Sequence, residues 1–431
     1  MRKGGWYYIG LGMMGLLWSC QMATPDGEGS LNETGATRAE TLAVVEQKPP
    51  VDMDKVLAEY DAFIRQKMDS LQLPGLAYAV VKDGKVVAMK TYGVRQTGRS
   101  ALIDEHTTFR LASISKGFAA VLAGKLVEQG YLHWDDPVKK HLPSFRLKEN
   151  LHTNTVTLRH TLSHTTGLTE YAGVSLIYKD LSCAALLNGL RYSTIAAPPA
   201  DSFTYQNAIY SAIDVIAQKV TQKSYAKLLD SLLLEPLGMT DASTGYKNMV
   251  ARKNKALPHT YSRRYGWNSS GTIRNKWYNV APAAGVNASI ADMATWMQAM
   301  LGHRPEIVSK QVLNEIFTPH ITINNDSKYY ETWAPGITQG WYGLGWRVFD
   351  FNETRVVYHG GYVRGFRPEM GFCPSEDVGI VLLTNASKND LSTLAIPAFF
   401  NLYFDLDTTP SAEEVDSLYA RPLKESKFIS E

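Results

Sequence analysis

Between Leu111 and Gly124 the chain reads LASISKGFAAVLAG, small or apolar at nearly every position except Lys116. This segment constrains the fold more than any other. A helix with no polar face must be buried on most sides. An ammonium buried with it costs several kcal/mol, roughly, unless it is paired or neutralised. Ser113 lies three residues earlier, a spacing that stacks two side chains on one helical face. Desolvation lowers a lysine pKa, so the amine can accept a proton from a neighbouring hydroxyl and make it a nucleophile. Free N–H groups at the helix start lie where an oxyanion would form.

Ser-x-x-Lys alone is weak evidence, because a chain of this length holds about one by chance. A second copy does occur, Ser224-Tyr225-Ala226-Lys227. There Ser224 reads as a helix cap and Lys227 lies on a polar face beside Asp230. The first copy differs in its apolar setting.

The 431 residues are 45% hydrophobic and 20% charged, with a net charge of +2. These are values for a globular chain with a large core. No long run of one charge sign points to nucleic acid. The start, MRKGGWYYIGLGMMGLLWSC, has a short basic end and an apolar stretch suited to export rather than to spanning a bilayer. Its end resembles a bacterial lipoprotein processing box, in which Cys20 becomes the lipidated terminus; the alternative is cleavage nearby without a lipid. Cys183 and Cys373 lie far apart in dissimilar contexts and are expected as two free, buried thiols rather than a bridge. Residues 21–50 are polar and aperiodic and read as a linker.

A helix is expected from Met53 to about Leu71. Two strand-like runs then flank Asp83-Gly84, a tight-hairpin signal. Residues 117–284 show helical patterns between Pro and Gly loops. Ser289 and Asp292 cap a helix ending near Gly302. GLGWRVFD, TRVVYHGGYVRGF, PEMGFCP and VGIVLLTN are four short strands whose connections imply antiparallel pairing. LSTLAIPAFFNLYF is a final helix, and a polar tail follows from about Asp405. The expected fold class is α/β (α+β): an antiparallel-rich sheet flanked by helices, with a mostly helical second lobe. The catalytic domain runs over 51–405, its α/β lobe from about 51–112 and 285–405 and its helical lobe from about 113–284. The tail is 406–431, and a cleft between lobes is the natural place for a site.

Several blocks occur in a fixed order: FRLASISKGFAAVLAGKLVEQGYLHWDDPVKKHLPSF, VTLRHTLSHTTGL, FTYQNAIYSAIDVIAQKV, LLEPLGMTDAS, AAGVNASIADMATWM and VYHGGYVRGFRPEMGF. Together, over about residues 53 to 403, they resemble the class C β-lactamase and D-alanyl-D-alanine peptidase-related serine hydrolases. The resemblance implies a β-lactamase/transpeptidase-like fold and assigns Ser113 and Lys116 as nucleophile and lysine. Tyr205-Gln206-Asn207 matches the family's Tyr-x-Asn element. Tyr205 would relay a proton beside the ammonium, and Asn207 would orient the lysine and hold the substrate's amide. His359-Gly360-Gly361 stands where the family's β-lactamases usually carry Lys-Thr-Gly. Gly361 would let a substrate backbone lie flat on the strand, and the Tyr362 N–H would complete the oxyanion hole with that of Ser113. The departures at His359 and Gly360 weaken carboxylate capture. Arg364, two residues past Tyr362 on the same strand face, is a candidate replacement charge, set against its reading as a solvated strand arginine.

His160 and His164 have a spacing that can hold zinc, but the glutamate of His-Glu-x-x-His and a third ligand are missing. They are read as a structural motif. No Gly-x-Ser-x-Gly elbow is present. GLGW is read as strand glycines. The expectation is thus an exported serine hydrolase, periplasmic or tethered to a bacterial envelope as a lipoprotein. It acts through an acyl-enzyme on β-lactam or D-Ala-D-Ala-like amides, with a small-molecule or peptidoglycan-like substrate and no cofactor, metal or nucleic acid. Its only membrane contact would be a possible N-terminal lipid, and it would be a monomer. An esterase or D-aminopeptidase is the enzymatic alternative. A catalytically poor penicillin-binding or envelope-interaction lipoprotein is the alternative of another class.

Overall fold

The helix α1, Met53–Leu71, begins where Asp52 accepts a hydrogen bond from the Lys55 N–H and ends where Gln72 turns left-handed, with φ 47°. The structure is a computed structural model that describes residues 50–323, 333, 336–387 and 389–406. Cys20, most of the 21–50 linker and nearly all of the 406–431 tail lie outside the described residues. Among the described residues, no helix is long and apolar enough to cross a membrane.

After α1 come β1 (Gly75–Lys82) and β2 (Lys85–Gly93), joined through Asp83 and Gly84 at φ 50° and 69°. Two successive left-handed residues match the twist of the hairpin, as the Asp-Gly signal predicts. Three short strands follow in scattered places: β3 (Phe109–Arg110), β4 (Ser243–Thr244) and β7 (Val286–Ala288) form a small sheet in the order β3-β7-β4. A separate hairpin pairs β5 (His259–Ser262) with β6 (Gly266–Ser269). The chain then supplies β8 (Ile321–Thr322), β9 (Ile337–Tyr342), β10 (Arg347–Phe351), β11 (Thr354–Gly360), β12 (Glu369–Cys373) and β13 (Val378–Thr384). With β1 and β2 they form one antiparallel sheet of eight strands, ordered β2-β1-β13-β12-β11-β10-β9-β8. β5, β6, β8 and β9 are not among the strands expected from sequence. The four that are expected, β10 to β13, pair antiparallel.

The helices of eight residues or more include α1, α2 (Ser115–Glu128), α3 (Ala212–Thr221), α4 (Ile290–Met300), α5 (Lys310–Phe317) and α6 (Asp390–Tyr403). α4 starts with a full capping box between Ser289 and Asp292. β1 and β13 are apolar at nearly every position because both faces of the sheet are covered. Their side chains alternate between two cores. Leu76, Tyr78 and Val80 pack with Tyr60 of α1 and Phe399 of α6. Ala77, Ala79 and Val81 pack with α2 and α4 on the other face. That second core continues into the short helices between residues 138 and 237. Cys183 and Cys373 are both buried and free.

Candidate active site

α2 has no polar face, and every residue from Ser115 to Gly124 is buried. Its start is fixed by Ser115, whose Oγ accepts the Val286 N–H of β7 at 3.0 Å. Before it, Ala112 holds φ 45°, a left-handed backbone that costs free energy in a residue with a Cβ. That turn swings Ser113 onto a short 3₁₀ segment, Ala112–Ile114, ahead of the helix. Ser113 is half-buried and Lys116 fully buried, so the hydroxyl sits above the amine.

Lys116 Nζ donates to Asn207 Oδ1 at 2.7 Å and to the Ala283 carbonyl at 3.1 Å, and it lies 3.3 Å from Ser113 Oγ. Burial holds the amine well below the usual lysine range, and Arg347 lowers it further. Among the described residues its hydrogen-bond partners are neutral oxygens, not carboxylates. They orient an amine that can be neutral, and they leave its proton exchange with Ser113 open.

The second wall is Tyr205-Gln206-Asn207. Gln206 is buried, and its side chain holds Leu168 O at 2.5 Å and Thr166 Oγ1 at 2.6 Å. This fixes the backbone that carries Tyr205 and Asn207. The Tyr205 ring centre is 4.7 Å from Lys116 Nζ, and the Tyr210 ring centre is 5.3 Å from it. Tyr210 Oη also donates to the Lys116 carbonyl at 2.7 Å. Ser113, Lys116, Tyr205 and Asn207, distant in sequence, therefore converge.

The third wall is the end of β11. His359 is buried; one ring nitrogen, Nδ1, is 2.7 Å from Gly360 O, and Nε2 is 3.1 Å from the Tyr342 hydroxyl. These partners imply a proton on Nδ1 and a hydrogen bond from the tyrosine to Nε2. Burial pushes the ring's pKa well down, with Arg347 and Lys116 adding to the effect, so His359 is neutral. Gly360 points the other way. A Cβ there would meet Glu369 Oε2 at 2.1 Å and Tyr358 Oη at 2.7 Å. Glu369 is fully buried, bonded to Tyr358 Oη at 2.5 Å and Arg367 Nε at 2.6 Å, so this space is taken. Gly361 lies against the backbone before the nucleophile, where its Cβ would come within 2.6 Å of Leu111 O. β11 ends at Gly360, so Tyr362 lies beyond it.

Two expectations need correction. Arg364 does not continue a strand past Tyr362. It is exposed in the turn between Val363 and Phe366, because Gly365, at φ 86°, reverses the chain there. GLGW is the connection between β9 and β10 rather than strand, with Gly345 left-handed at φ 79°. A Cβ on Gly345 would meet Tyr210 Oη at 2.6 Å and Lys116 O at 2.7 Å, so the turn packs directly on α2.

The charge near the site comes from Arg347, at the start of β10, which sequence reasoning passed over. It is buried, and its Cζ lies 5.7 Å from the ring centres of both Tyr205 and Tyr342. It lowers the pKa of Lys116, His164 and His359 alike. His164 also lies here, its ring centre 4.3 Å from that of Tyr205 and 5.0 Å from that of Tyr342. Its zinc-like spacing from His160 holds no metal site: His160 completes a capping box with Thr157. Among the described residues no group of three or more His, Cys, Asp or Glu is placed to hold a metal ion. Ser224 caps its helix by accepting the Lys227 N–H, and a second Tyr-x-Asn sequence, Tyr246-Lys247-Asn248, lies away from the site in a partly exposed helix.

The chain is similar to several known proteins. A family model described as Beta-lactamase matches residues 60–397. Protein flp of Staphylococcus aureus (strain NCTC 8325 / PS 47) is 26% identical over 337 residues, 77% of this chain and 63% of that protein. Unguisins hydrolase ungD' of Aspergillus campestris is 26% identical over 373 residues, 84% of this chain and 66% of that protein. The chain thus spans less than two thirds of these curated relatives. Among solved structures, the octameric penicillin-binding protein homologue from Pyrococcus abyssi superposes with a TM-score of 0.71 at 24% identity, covering 84% of this chain and 80% of that one. The penicillin binding protein from Bacillus halodurans gives 0.62 at 20% identity, covering 77% of this chain and 97% of that one. At these identities the structural likeness is one of fold.

Proposed function

The chain belongs to the Beta-lactamase family of serine hydrolases, and on that premise we propose that it cleaves amide-type substrates through an acyl-enzyme at Ser113. One observation carries this reading: the buried Lys116 amine, its pKa lowered, 3.3 Å from the Ser113 hydroxyl. In the first step the Ser113 proton passes to neutral Lys116, directly or through the Tyr205 phenol, as Oγ bonds to the carbonyl carbon. The backbone N–H groups of Ser113 and Tyr362 take the oxyanion. Collapse breaks the carbon–nitrogen bond, and the leaving amine receives the same proton. Water then attacks the Ser113 ester and gives up a proton to the same base; the acyl C–Oγ bond breaks as that base returns the proton to Ser113 Oγ, which releases the acid. Asn207 keeps the lysine in line and holds the substrate's amide.

Arg347 supports a substrate that carries a carboxylate, as β-lactams and D-Ala-D-Ala-like peptides do. It offsets the charge lost at His359, whose two nitrogens are both engaged inside the protein. The second reading, an esterase or D-aminopeptidase, rests on the same His359 and on Gly360, which leave one cation where the β-lactamase pattern has a lysine and a hydroxyl. The first twenty residues support export with a lipid at Cys20, and a monomer in the envelope is the proposed setting.

A fluorescent penicillin and a chromogenic cephalosporin, beside Ser113→Ala, test the proposal. Fast colour change dependent on Ser113 indicates a lactamase, and a persistent label indicates a peptidase. Serine-dependent cleavage of small esters without either supports the second reading. No label and no turnover on any of these overturns the hydrolase assignment in favour of an envelope-binding protein.

A further inference from the structure

His164 brackets Tyr205. Its carbonyl oxygen accepts the Thr204 N–H at 3.0 Å, and its ring Nδ1 accepts the Gln206 N–H at 3.2 Å. The residues on either side of Tyr205 are thus hydrogen-bonded to one residue. The His164 ring also packs on Tyr205, with centroids 4.3 Å apart and planes at 43°, and it touches Phe203, Tyr210 and Tyr342. Its backbone is left-handed, φ 60°, and its side chain is fully buried. The residue that makes both bonds thus holds a backbone conformation sparsely populated outside glycine, a kind of strain that clusters at functional sites.

We infer that His164 is the positioning residue of the catalytic tyrosine: a neutral imidazole that accepts through Nδ1 and fixes where the Tyr205 phenol stands relative to Lys116 and Ser113. The inference rests on the acyl-enzyme reading of this site. Because Nδ1 accepts from an N–H, the ring proton belongs on Nε2, which is buried and has no hydrogen-bond partner among the described residues. An acceptor at Nδ1 is worth that unsatisfied N–H only if the segment it holds must not move. Neutrality also matters. A charged ring here would add a cation beside Lys116 and Arg347, and burial together with those neighbours and His359 opposes it.

Three substitutions separate positioning from space-filling. His164→Asn keeps an acceptor near Nδ1 and tolerates left-handed backbone. His164→Gln moves the polar end to the Nε2 position, and His164→Leu removes it. Each is measured for kcat and KM, or for the acylation rate of Ser113 by fluorescent penicillin, alongside its thermal unfolding. Positioning predicts that Leu and Gln lower kcat by about 100-fold with KM little changed, while Asn restores most of the loss. If Leu unfolds, the Asn and Gln pair still decides. Equal rates for Asn and Gln, or Leu near wild type, overturn the inference. A loss confined to KM or to unfolding temperature does so too. Should the wild type neither turn over a substrate nor take the penicillin label, the hydrolase reading has failed instead. The bracket is then read separately from the fluorine NMR signal of 3-fluorotyrosine, assigned with Tyr205→Phe. That signal is expected to shift and broaden in the Leu and Gln variants and to stay put in Asn; an unmoved signal in all three refutes the bracket.

Discussion

Arg347 Cζ stands 5.7 Å from the centre of the Tyr205 ring. Lys116 Nζ lies 4.7 Å from the same ring. One tyrosine therefore faces, in a buried setting, a guanidinium on one side and an amine held towards its neutral form on the other. The phenol is placed to relay the Ser113 proton to that amine.

Tyr205→Phe keeps the ring against Lys116 and removes only the hydroxyl. Acylation of Ser113 is expected to slow by about 100-fold or more, the typical contribution of a positioned acid–base group. Stopped-flow measurement with a chromogenic substrate checks it. An unchanged rate assigns the whole proton transfer to Lys116.

Lys116→Met fills the same volume without the buried amine. It is expected to abolish acylation while raising stability by about 1–4 kcal/mol near neutral pH. The sign of the pH dependence follows from the lowered folded-state pKa. Between that value and the ordinary lysine pKa the unfolded chain binds the extra proton, so the wild type gains stability as pH rises. The advantage of Lys116→Met must therefore shrink towards alkaline pH. Urea unfolding of both proteins across pH 6 to about 10 reads this directly.

Arg347→Met tests the charge near the site in two ways. Arg347 lowers the Lys116 pKa, so its loss moves the acid limb of the kcat/KM profile to higher pH. For a carboxylate-bearing substrate KM should rise by roughly tenfold to hundredfold, equivalent to about 1.5–3 kcal/mol for a lost charged hydrogen bond. A neutral ester should show the shifted limb with little change in KM. Equal effects on both substrates show that Arg347 does not meet the carboxylate.

Gly360→Thr, which restores a hydroxyl of the β-lactamase pattern, is expected to destabilise by about 1–3 kcal/mol. Its Cβ would run into Glu369 Oε2 and Tyr358 Oη. Gly360→Thr combined with Glu369→Ala should cost less than the sum of the two single changes, because they share one space. Melting temperatures of the two single variants and the double variant complete the cycle.

What the sequence made legible is what neighbouring residues encode. The Asp83-Gly84 hairpin, the Ser289–Asp292 cap and the α1 boundaries follow from local chemistry. So does the Ser113–Lys116 pair, through its apolar setting. What it hid depends on register. Arg347 is paired with Tyr358, whose ring packs in the α1 and α6 core, so alternation alone assigns the arginine to the wrong face. Its place beside Tyr205 appears only when the Gly343–Trp346 turn is seen to fold onto α2. Arg364 failed for the complementary reason: a strand period extends past Gly360 on paper, and a left-handed glycine ends it in space. His164 was weighed as a metal ligand and set aside. Its hold on Tyr205 joins segments forty residues apart, and no short motif reveals that.

Leu76 of β1 is paired with Thr384 of β13, the strand synthesised last in the sheet. The backbone that shelters the nucleophile, at Gly361, is likewise made late. During synthesis, α2 can therefore emerge with its serine and lysine in register long before their surroundings exist. A chain cut short of Val378 lacks the strand that joins the hairpin to the rest of the sheet, and it should be inert however well its first half folds. The reactive centre is, in effect, timed by strands far downstream of its nucleophile: it matures only once β11 to β13 have been made.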